Sequence, residues 1–482
     1  MVGITSYSAY IPWYRMSRAK FGEATQFLMV FPPPGERAVQ NQNEDSITMG
    51  AAAAIYCLDG EDRSKIEGFY FATSTPVYLV RQQASIISNA IDLKDDIRVA
   101  DFASGGKAGT TALMNAIDAV KAGSLNNVMV SAADCRVIKP GNPQESVFGA
   151  GAAAFIVGKD DVVAELEATY STSIDFVDRW RAVYEPFDHA WEDRWIRDEG
   201  YEKLIPQAVN GMLKQQNLSI NDIDKIAFCY PNTRGYNKLA KKLEIDPAKL
   251  QDCLMDNVGD TCAAHSLMML IGALEEAKAG DRILIASWGQ GVDVLLFRAT
   301  DKIGKIKDKW GIKKNLARRK DLDSWEKFAS ITGAVNFYKS PREGEYAFTS
   351  YSLAWRERKE VTKLYGHKCR KCGTIQFPPR HICVNPECKA IDQMEDIRLS
   401  DKKGKVFSLT NDYMVSAGVA MPPASSGYVN LDSGGRIFIQ MCDVDPAELT
   451  IGMPVEMTVR RKLVDAPRGV SIYQWVAVPA RE

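Results

Sequence analysis

Histidine is scarce in this chain. Only four of the 482 residues are histidine: His189, His265, His367 and His381. Few side chains can therefore move protons near neutral pH as an imidazole does. An excess of one charge is missing too, because the formal net charge is -1. A chain this close to neutrality has no global field to draw it to nucleic acid or to an anionic membrane, so neither is predicted as a partner.

Long apolar runs are also missing. No run approaches the roughly 18 residues that a membrane span needs, and the amino terminus lacks the charged start and apolar stretch of a signal peptide. The ten cysteines, four of them at metal-ligand spacing, favour a reducing cytosol over a disulfide scaffold. With 46% hydrophobic residues the chain can build large cores, and its length predicts about two to four domains.

Four cysteines form the strongest local motif. Cys369 and Cys372 are spaced C-x-x-C, Cys383 and Cys388 are spaced C-x-x-x-x-C, and ten residues separate the pairs. Two such loops, each offering two thiolates, predict a tetrahedral four-cysteine zinc site. A closed set of four thiolates leaves no open position on the metal, so we expect a structural Zn²⁺ and look for chemistry elsewhere.

An internal repeat organises the part of the chain before these cysteines. Residues 109–134 and 264–290 each contain an amphipathic helix, a Lys-Ala-Gly stop and an apolar strand. The glycine ends the helix, and a nearly continuous apolar run is typical of a buried strand. The repeat predicts an α/β fold built from two similar halves.

The carboxy-terminal part follows another pattern. After Asp401, short alternating strands are separated by Gly, Pro and Ser turns, which predicts a small β-barrel with an OB-fold as the natural candidate. Four domains are therefore expected: the first half at 1–165, the second half at 166–345, a helix with a zinc ribbon at 346–400, and the OB-fold at 401–482.

One stretch is strongly basic. Residues 302–320 contain nine Lys or Arg and one acid. This composition is typical of a solvated helix or linker face, and the alternative is a patch for a phosphorylated ligand.

Several motifs, in order, resemble one family. They are DFASGGKAGTTAL (101–113), PGNPQESVFGAGAAAFIVG (140–158), CYPNTRGYNKL (229–239), NVGDTCAAHS (257–266) and SWGQGVD (287–293). The duplicated halves resemble the thiolase superfamily, and within it the motifs resemble archaeal-type hydroxymethylglutaryl-CoA synthase. The tail resembles the zinc-ribbon and OB-fold module that accompanies thiolase-type enzymes as a separate subunit, here fused to the chain.

The resemblance fails at the catalytic residues. The family uses a Glu–Cys–His set in which acetyl-CoA acylates the cysteine. In this sequence the glutamate position falls near Ala52, the cysteine position is Gly106 and the histidine position is Cys229. The family's asparagine corresponds to Asp260. Without a thiolate at position 106 the usual acyl-enzyme cannot form there, and Ser104, two residues earlier, is a weak alternative nucleophile.

The scaffold for stabilising an oxyanion persists. Gly105 and Gly106 open a helix whose free N–H groups favour negative charge, and the resemblance places Gly289 opposite them and Asn232 at the substrate. The predicted proton carriers are His265, Tyr230 and Asp260. Cys229 is either a replacement nucleophile or a buried, inert thiol.

These residues lead to two hypotheses. The first is an enzyme that acts on acyl-CoA and makes or breaks a C–C bond next to the thioester carbonyl by aldol, retro-aldol or Claisen chemistry. The second is a non-catalytic CoA-binding subunit of a thiolase-type complex. From the resemblance we expect a homodimer, and a thiolase-type partner subunit is a further possibility. The aromatic and charged stretch at 179–195 is predicted as a lid or as a dimer contact.

Overall fold

The computed structural model describes residues 1–28, 31–103, 105–306, 308–338, 350–413 and 421–481. The chain forms two compact units. The first comprises Met1–Asn41, Asp45–Ser88 and Leu93–Val335, and the second Gln42–Glu44, Asn89–Asp92 and Asn336–Glu482. The four domains expected from the sequence are a finer division, whose boundaries stay a prediction.

The strands of the first unit are numbered in chain order. In order they are β1 (Gly3–Tyr10), β2 (Tyr14–Ser17), β3 (Glu36–Val39), β4 (Gly68–Thr73), β5 (Arg98–Ala103), β6 (Val128–Cys135), β7 (Ala150–Gly158), β8 (Ala164–Ser171), β9 (Arg179–Trp180), β10 (His189–Ala190), β11 (Lys225–Phe228), β12 (Arg282–Trp288), β13 (Val292–Ala299) and β14 (Lys320–Asp321).

Nine of these strands form one sheet in the order β11-β12-β13-β8-β1-β7-β6-β4-β5. On one side β4 pairs in parallel with β6, β6 antiparallel with β7, and β7 antiparallel with β1. On the other side β11 pairs in parallel with β12, β12 antiparallel with β13, and β13 antiparallel with β8. The two runs have the same pattern, so the duplicated α/β fold predicted from the repeat is confirmed.

The α-helices of both units are also numbered in chain order. They are α1 (Ala19–Thr25), α2 (Ser46–Cys57), α3 (Gln83–Ala90), α4 (Ala108–Lys121), α5 (Asp193–Trp195), α6 (Glu202–Gln215), α7 (Thr233–Lys242), α8 (His265–Glu276), α9 (Ile312–Ala317), α10 (Trp325–Thr332), α11 (Tyr351–Arg356) and α12 (Arg358–Val361). Between α5 and α6 the residues Ile196–Tyr201 form a π-helix, a form that is often found at functional sites.

The two helices of the repeat occupy the core. Helix α8 is buried from His265 through Leu274, and α4 buries Ala112, Leu113 and Ala116. A helix that is apolar on nearly every side, as α8 is, is stable only inside a large core. Because α4 and α8 begin at corresponding points of the two halves, their amino-terminal ends bring the family motifs to the middle of the unit.

The second unit contains two small β structures. Its strands are β15 (Tyr365–Cys369), β16 (Ile375–Gln376), β17 (Met394–Arg398), β18 (Gly404–Asp412), β19 (Ala424–Leu431), β20 (Arg436–Met441), β21 (Pro454–Asp465) and β22 (Val470–Pro479). The first three form a sheet in the order β16-β15-β17, and the last five form the closed barrel β18-β19-β20-β22-β21. The zinc-ribbon and OB-fold architecture expected from the sequence is confirmed.

Part of the basic stretch forms ion pairs with neighbouring acids of the first unit. Lys302 and Lys305 lie 3.3 and 3.0 Å from Asp161, and Lys309 lies 3.0 Å from Glu61. Ion pairs of this kind are typical of a solvated surface. No helix in the described ranges is both long and apolar enough to cross a membrane.

Candidate active site and metal site

The start of α4 meets the turn between β12 and β13 at two glycines. A side-chain carbon added to Gly106 would lie 2.6 Å from the carbonyl oxygen of Trp288. One added to Gly289 would lie 2.5 Å from the backbone nitrogen of Lys107. Around Gly105, by contrast, such a carbon would meet nothing within 4 Å. Backbone from the second half therefore fills the position at which the resemblance places the acylated cysteine.

A buried carboxylate ties the first turn of α4 to β13. Lys107 Nζ lies 3.1 Å from Asp293 Oδ1, and the hydroxyls of Thr110 and Thr111 donate to Asp293 Oδ2 at 2.9 and 3.2 Å. Asp293 is only 1% exposed. This aspartate ends the 287–293 motif, and it orients the lysine that follows the two glycines.

A cavity of about 610 Å³ opens at the same turn. Its lining includes Gly105 and Lys107 from the start of α4, Gly289 and Gln290 from the β12–β13 turn, and Asp175 after β8. A volume of this order is that of a small-molecule site. The cavity therefore gives a ligand access to Gly105 and Gly289, two of the glycines that the sequence predicts as oxyanion donors.

Asp260 is a buried, ion-paired carboxylate. Its Oδ2 accepts a hydrogen bond from Arg179 Nη1 at 2.8 Å, and its Oδ1 accepts one from the Cys262 N–H at 2.8 Å. Burial acts to raise the pKa of Asp260, but Arg179, His265 and Arg136 outweigh it and lower the pKa to about 2. A carboxylate with so low a pKa is a weak base near neutral pH, which speaks against proton abstraction by Asp260.

Further arginines surround this pair. Arg136 Nε donates to Asp188 Oδ2 at 2.6 Å, and Arg181 Nη1 lies 3.2 Å from Asp188 Oδ1. The guanidinium carbons of Arg136 and Arg179 lie 4.2 and 5.2 Å from the ring centroid of Phe148, within cation–π range. We call this group the arginine cluster; its charged members are Arg136, Arg179, Arg181, Asp188 and Asp260.

Two thiols lie beside the arginine cluster. Cys229 follows β11, where its N–H donates to Ala286 O at 3.1 Å, and burial raises the pKa of its thiol to about 12. Cys262 Sγ lies 3.8 Å from Arg136 Nη1, yet burial also raises its pKa to about 12. Because the thiolate is the reactive form, both groups are poor nucleophiles at neutral pH.

Tyr230, a predicted proton carrier, faces a different set of charges. It is 4% exposed, and the charged groups nearest its hydroxyl are Glu202 and Arg197. Burial, followed by Glu202, raises the pKa of Tyr230 to about 12. The structure thus directs this hydroxyl toward the start of α6.

A second tyrosine, which the sequence did not single out, is influenced by the charges of Arg179 and Asp260. Tyr201 ends the π-helix and is 4% exposed. Its ring centroid lies 5.0 Å from that of Trp288. Burial raises the pKa of Tyr201 above its ordinary value, Arg179 acts to lower this pKa, and Asp260 and Asp178 act to raise it.

The remaining predicted polar residues stand at helix starts. His265 is the first residue of α8 and is 2% exposed; its Nδ1 lies 3.3 Å from Thr261 Oγ1, and burial lowers its pKa. It is therefore a neutral imidazole at physiological pH. Asn232 caps α7, because its Oδ1 accepts a hydrogen bond from the Gly235 N–H at 2.7 Å. Ser104 lies outside the described residues.

The arginine cluster could have been anticipated only in part. The sequence marked Asp260 as a carboxylate where the family has an amide, and a buried carboxylate needs a cation. The stretch at 179–195 was expected to be a lid or a dimer contact, and it supplies Arg179 and Arg181 to the cluster. Arg136, which directly follows β6, carried no signal of its own.

The four cysteines come together in the second unit. Their sulfur atoms all lie within 4.8 Å of one another, with 3.8 Å between Cys369 and Cys388 and 3.5 Å between Cys372 and Cys383. A tetrahedron with Zn–S bonds of about 2.3 Å has edges of about 3.8 Å. The residues therefore fit a zinc ion bound by four thiolates, as their spacing predicted.

Comparison with known proteins agrees with this architecture. The family described as 3-oxoacyl-[acyl-carrier-protein (ACP)] synthase III C terminal matches residues 213–295. The families described as ChsH2, rubredoxin-like zinc ribbon domain, and ChsH2, C-terminal OB-fold domain, match residues 356–394 and 397–460. Together with the duplicated sheet, these matches define a thiolase-type α/β protein with a zinc-ribbon and OB-fold tail.

Curated relatives identify the family more closely. The chain is 32% identical to the hydroxymethylglutaryl-CoA synthase of Methanopyrus kandleri over 317 residues, which cover 64% of this chain and 90% of the relative. It is 35% identical to the enzyme of Pyrococcus furiosus over 295 residues, or 60% of this chain and 83% of that one. The chain belongs to the hydroxymethylglutaryl-CoA synthase family.

Solved structures share the fold. MvaS in complex with 3-hydroxy-3-methylglutaryl coenzyme A aligns with a TM-score of 0.62 at 19% identity, over 72% of this chain and 94% of that chain. An HMG-CoA synthase complexed with CoA aligns with a TM-score of 0.61 at 20% identity, over 73% of this chain and 94% of that chain.

Proposed function

We propose that this chain binds acyl-CoA thioesters and makes or breaks a C–C bond on the carbon next to the thioester carbonyl, without a cysteine acyl-enzyme. The observation that carries the proposal is the start of α4, where the Trp288 carbonyl fills the nucleophile position at Gly106. The helix start and its glycines persist there, beside a cavity large enough for an acyl group. Solved structures of the same fold hold CoA and a hydroxyacyl-CoA, which supports this substrate class.

The reaction follows from these groups. The thioester oxygen accepts hydrogen bonds at the amino-terminal end of α4, which stabilises the negative charge of an enolate. A base removes the α-proton, the enolate carbon attacks a second carbonyl, and the resulting alkoxide takes a proton from an O–H donor. The reverse sequence cleaves the bond. Of the proton carriers predicted from the sequence, His265 and Tyr230 stay candidates, Asp260 is too weak a base, and the position of Tyr201 adds a third candidate.

Exchange of the α-proton tests the proposal. The protein is incubated in deuterated water with a panel of acyl-CoA esters, and each ester is followed by mass spectrometry. We expect deuterium uptake that falls at least about tenfold in the variant that loses the base. His265→Ala, Tyr201→Phe and Tyr230→Phe each remove one candidate, so the variant that loses exchange identifies the base. Binding of esters without exchange of any of them would refute an enolate-forming enzyme.

The loss of the Glu–Cys–His set supports a second candidate, a CoA-binding subunit that serves a catalytic partner. It predicts that a thiolase-type protein with an intact cysteine copurifies with the chain, and that exchange occurs only in the complex.

In either case we propose a homodimer, a structural Zn²⁺ on Cys369, Cys372, Cys383 and Cys388, and a cytosolic location. Strand β5, at one end of the nine-stranded sheet, offers an edge for dimer pairing.

A further inference from the structure

The candidate bases lie away from the cavity at the start of α4. His265, Tyr201 and Tyr230 are buried, and none of the three belongs to the described wall of the cavity. Ala52, at the family's glutamate position, is fully buried and has no group that can take a proton. A general base must come within hydrogen-bond reach of the proton that it removes. A substrate held in this cavity therefore needs a base from the cavity wall.

Two carboxylates lie in the described part of this wall, and they differ in their partners. Asp101 Oδ1 and Oδ2 accept hydrogen bonds from the backbone N–H groups of Ala84 and Gln83, both at 2.7 Å. Asp175 is exposed, and in the described part of the chain its carboxylate has no hydrogen bond or ion pair. Because its lone pairs are uncommitted, Asp175 is the carboxylate that can accept a proton from a ligand in the cavity.

Asp175 follows a segment that main-chain hydrogen bonds fix against the β12–β13 turn. Beyond the end of β8, the Thr172 N–H donates to Val292 O at 2.9 Å, and the Ile174 N–H donates to Gln290 O at 3.1 Å. These bonds set the position of Asp175 in the wall without using its side chain. Substitution of Asp175 should therefore leave the segment in place.

Lys107 brings a hydrogen-bond donor to the same cavity. Its Nζ donates to Thr172 O at 2.8 Å and lies 3.1 Å from Asp293 Oδ1. An ammonium group carries three N–H bonds, so one of them remains after these two contacts within the described residues. The side chain of Lys107 is 20% exposed. A charged donor placed at the oxygen of a thioester stabilises the enolate that forms there.

We propose that Asp175 removes the α-proton of an acyl-CoA thioester bound in this cavity, and that the third N–H of Lys107 donates to the thioester oxygen. The C–H bond breaks as the proton passes to the Asp175 carboxylate. The electron pair of that bond forms the C=C bond of the enolate, whose negative charge resides on the oxygen at Lys107. The inference rests on the proposed function and names the base of its first step.

Exchange of the α-protons of acetyl-CoA and butanoyl-CoA in deuterated water, measured on the full chain, tests the assignment of Asp175. Asp175→Asn should lower the exchange rate by about 10²–10⁴-fold, while the Kd of each ester stays close to that of the wild-type chain. Asp175→Glu keeps a carboxylate and should retain more of the rate. The matched control is Asp160→Asn, at an exposed aspartate between β7 and β8, which should exchange at the wild-type rate.

A small carboxylate separates proton removal from a structural role of Asp175. In Asp175→Ala, added formate should restore exchange in proportion to its concentration, whereas chloride at equal ionic strength should not. Exchange that survives Asp175→Asn, or that formate does not restore, would overturn the inference and leave an enolate-forming enzyme. Binding of both esters to the wild-type chain without any exchange would overturn the proposed function together with it.

The same assay tests Lys107. Lys107→Met should lower the exchange rate by about 10²–10³-fold, the usual cost of losing one oxyanion donor. Since this variant leaves the buried Asp293 without its cation, the double variant Lys107→Met with Asp293→Asn removes both charges and should show the same loss. A wild-type exchange rate in the double variant would overturn the assignment of Lys107.

Discussion

Restoring the family's nucleophile should not restore its chemistry. In Gly106→Cys or Gly106→Ala, the new side-chain carbon starts 2.6 Å from the Trp288 carbonyl oxygen. Carbon–oxygen contacts are ordinarily about 3.3 Å or longer, so α4 or the β12–β13 turn must move by about 0.7 Å. The glycines pack backbone against backbone, and Lys107 and its neighbours tie this helix start to Asp293. The site therefore cannot relax cheaply.

We expect Gly106→Ala to destabilise the first unit by about 1–3 kcal/mol, the usual cost of overpacking. For a unit of this size that lowers Tm by about 2–5 °C. The matched control is Gly105→Ala, whose added carbon meets nothing within 4 Å and should change stability by less than about 1 kcal/mol. Differential scanning calorimetry gives the shifts, and hydrogen exchange of peptides from α4 shows where the chain loosens.

Acylation completes the test. Gly106→Cys, incubated with acetyl-CoA, should gain no acetyl group by intact-mass spectrometry, because the clash displaces the thiol from the family position. The reasoning is refuted if Gly106→Ala has the same Tm as Gly105→Ala and Gly106→Cys is acetylated. The Trp288 carbonyl would then be free to withdraw.

Two further predictions concern the buried charges and the metal. Asp260→Asn removes the carboxylate that pairs with the side chain of Arg179 and should destabilise the first unit by about 3 kcal/mol at neutral pH. Because the folded-state pKa of Asp260 is about 2, below its ordinary value, this advantage of the wild-type chain is complete above about pH 4 and declines as the pH falls further. Calorimetry at several pH values measures the difference in stability between the wild-type chain and Asp260→Asn. A difference that grows as the pH falls would contradict the prediction. Metal analysis should find one zinc per chain and none in Cys372→Ser, whereas zinc retained by that variant would exclude this ligand set.

Local sequence patterns were sufficient to predict much of this architecture. The cysteine spacing predicts the metal site because each pair of thiolates lies within one short turn, so no long-range contact is needed to bring its members together. The repeat predicts the paired halves because helix and strand periods, with glycine stops, are properties of a single segment. The absence of Glu, Cys and His from the family positions is likewise a statement about residues in a motif.

The active-site geometry depends on contacts between distant segments. Arg136, Arg179, Asp188 and Asp260 come from separate parts of the first unit, and only the packing of both halves makes them one cluster. Tyr201 became a candidate beside Tyr230 only through the tertiary structure, because it ends the π-helix before α6 and matches none of the motifs. The closeness of Gly106 to Trp288 was equally invisible in the sequence, because a glycine is compatible with open space or with close contact, and only the neighbouring backbone decides between them.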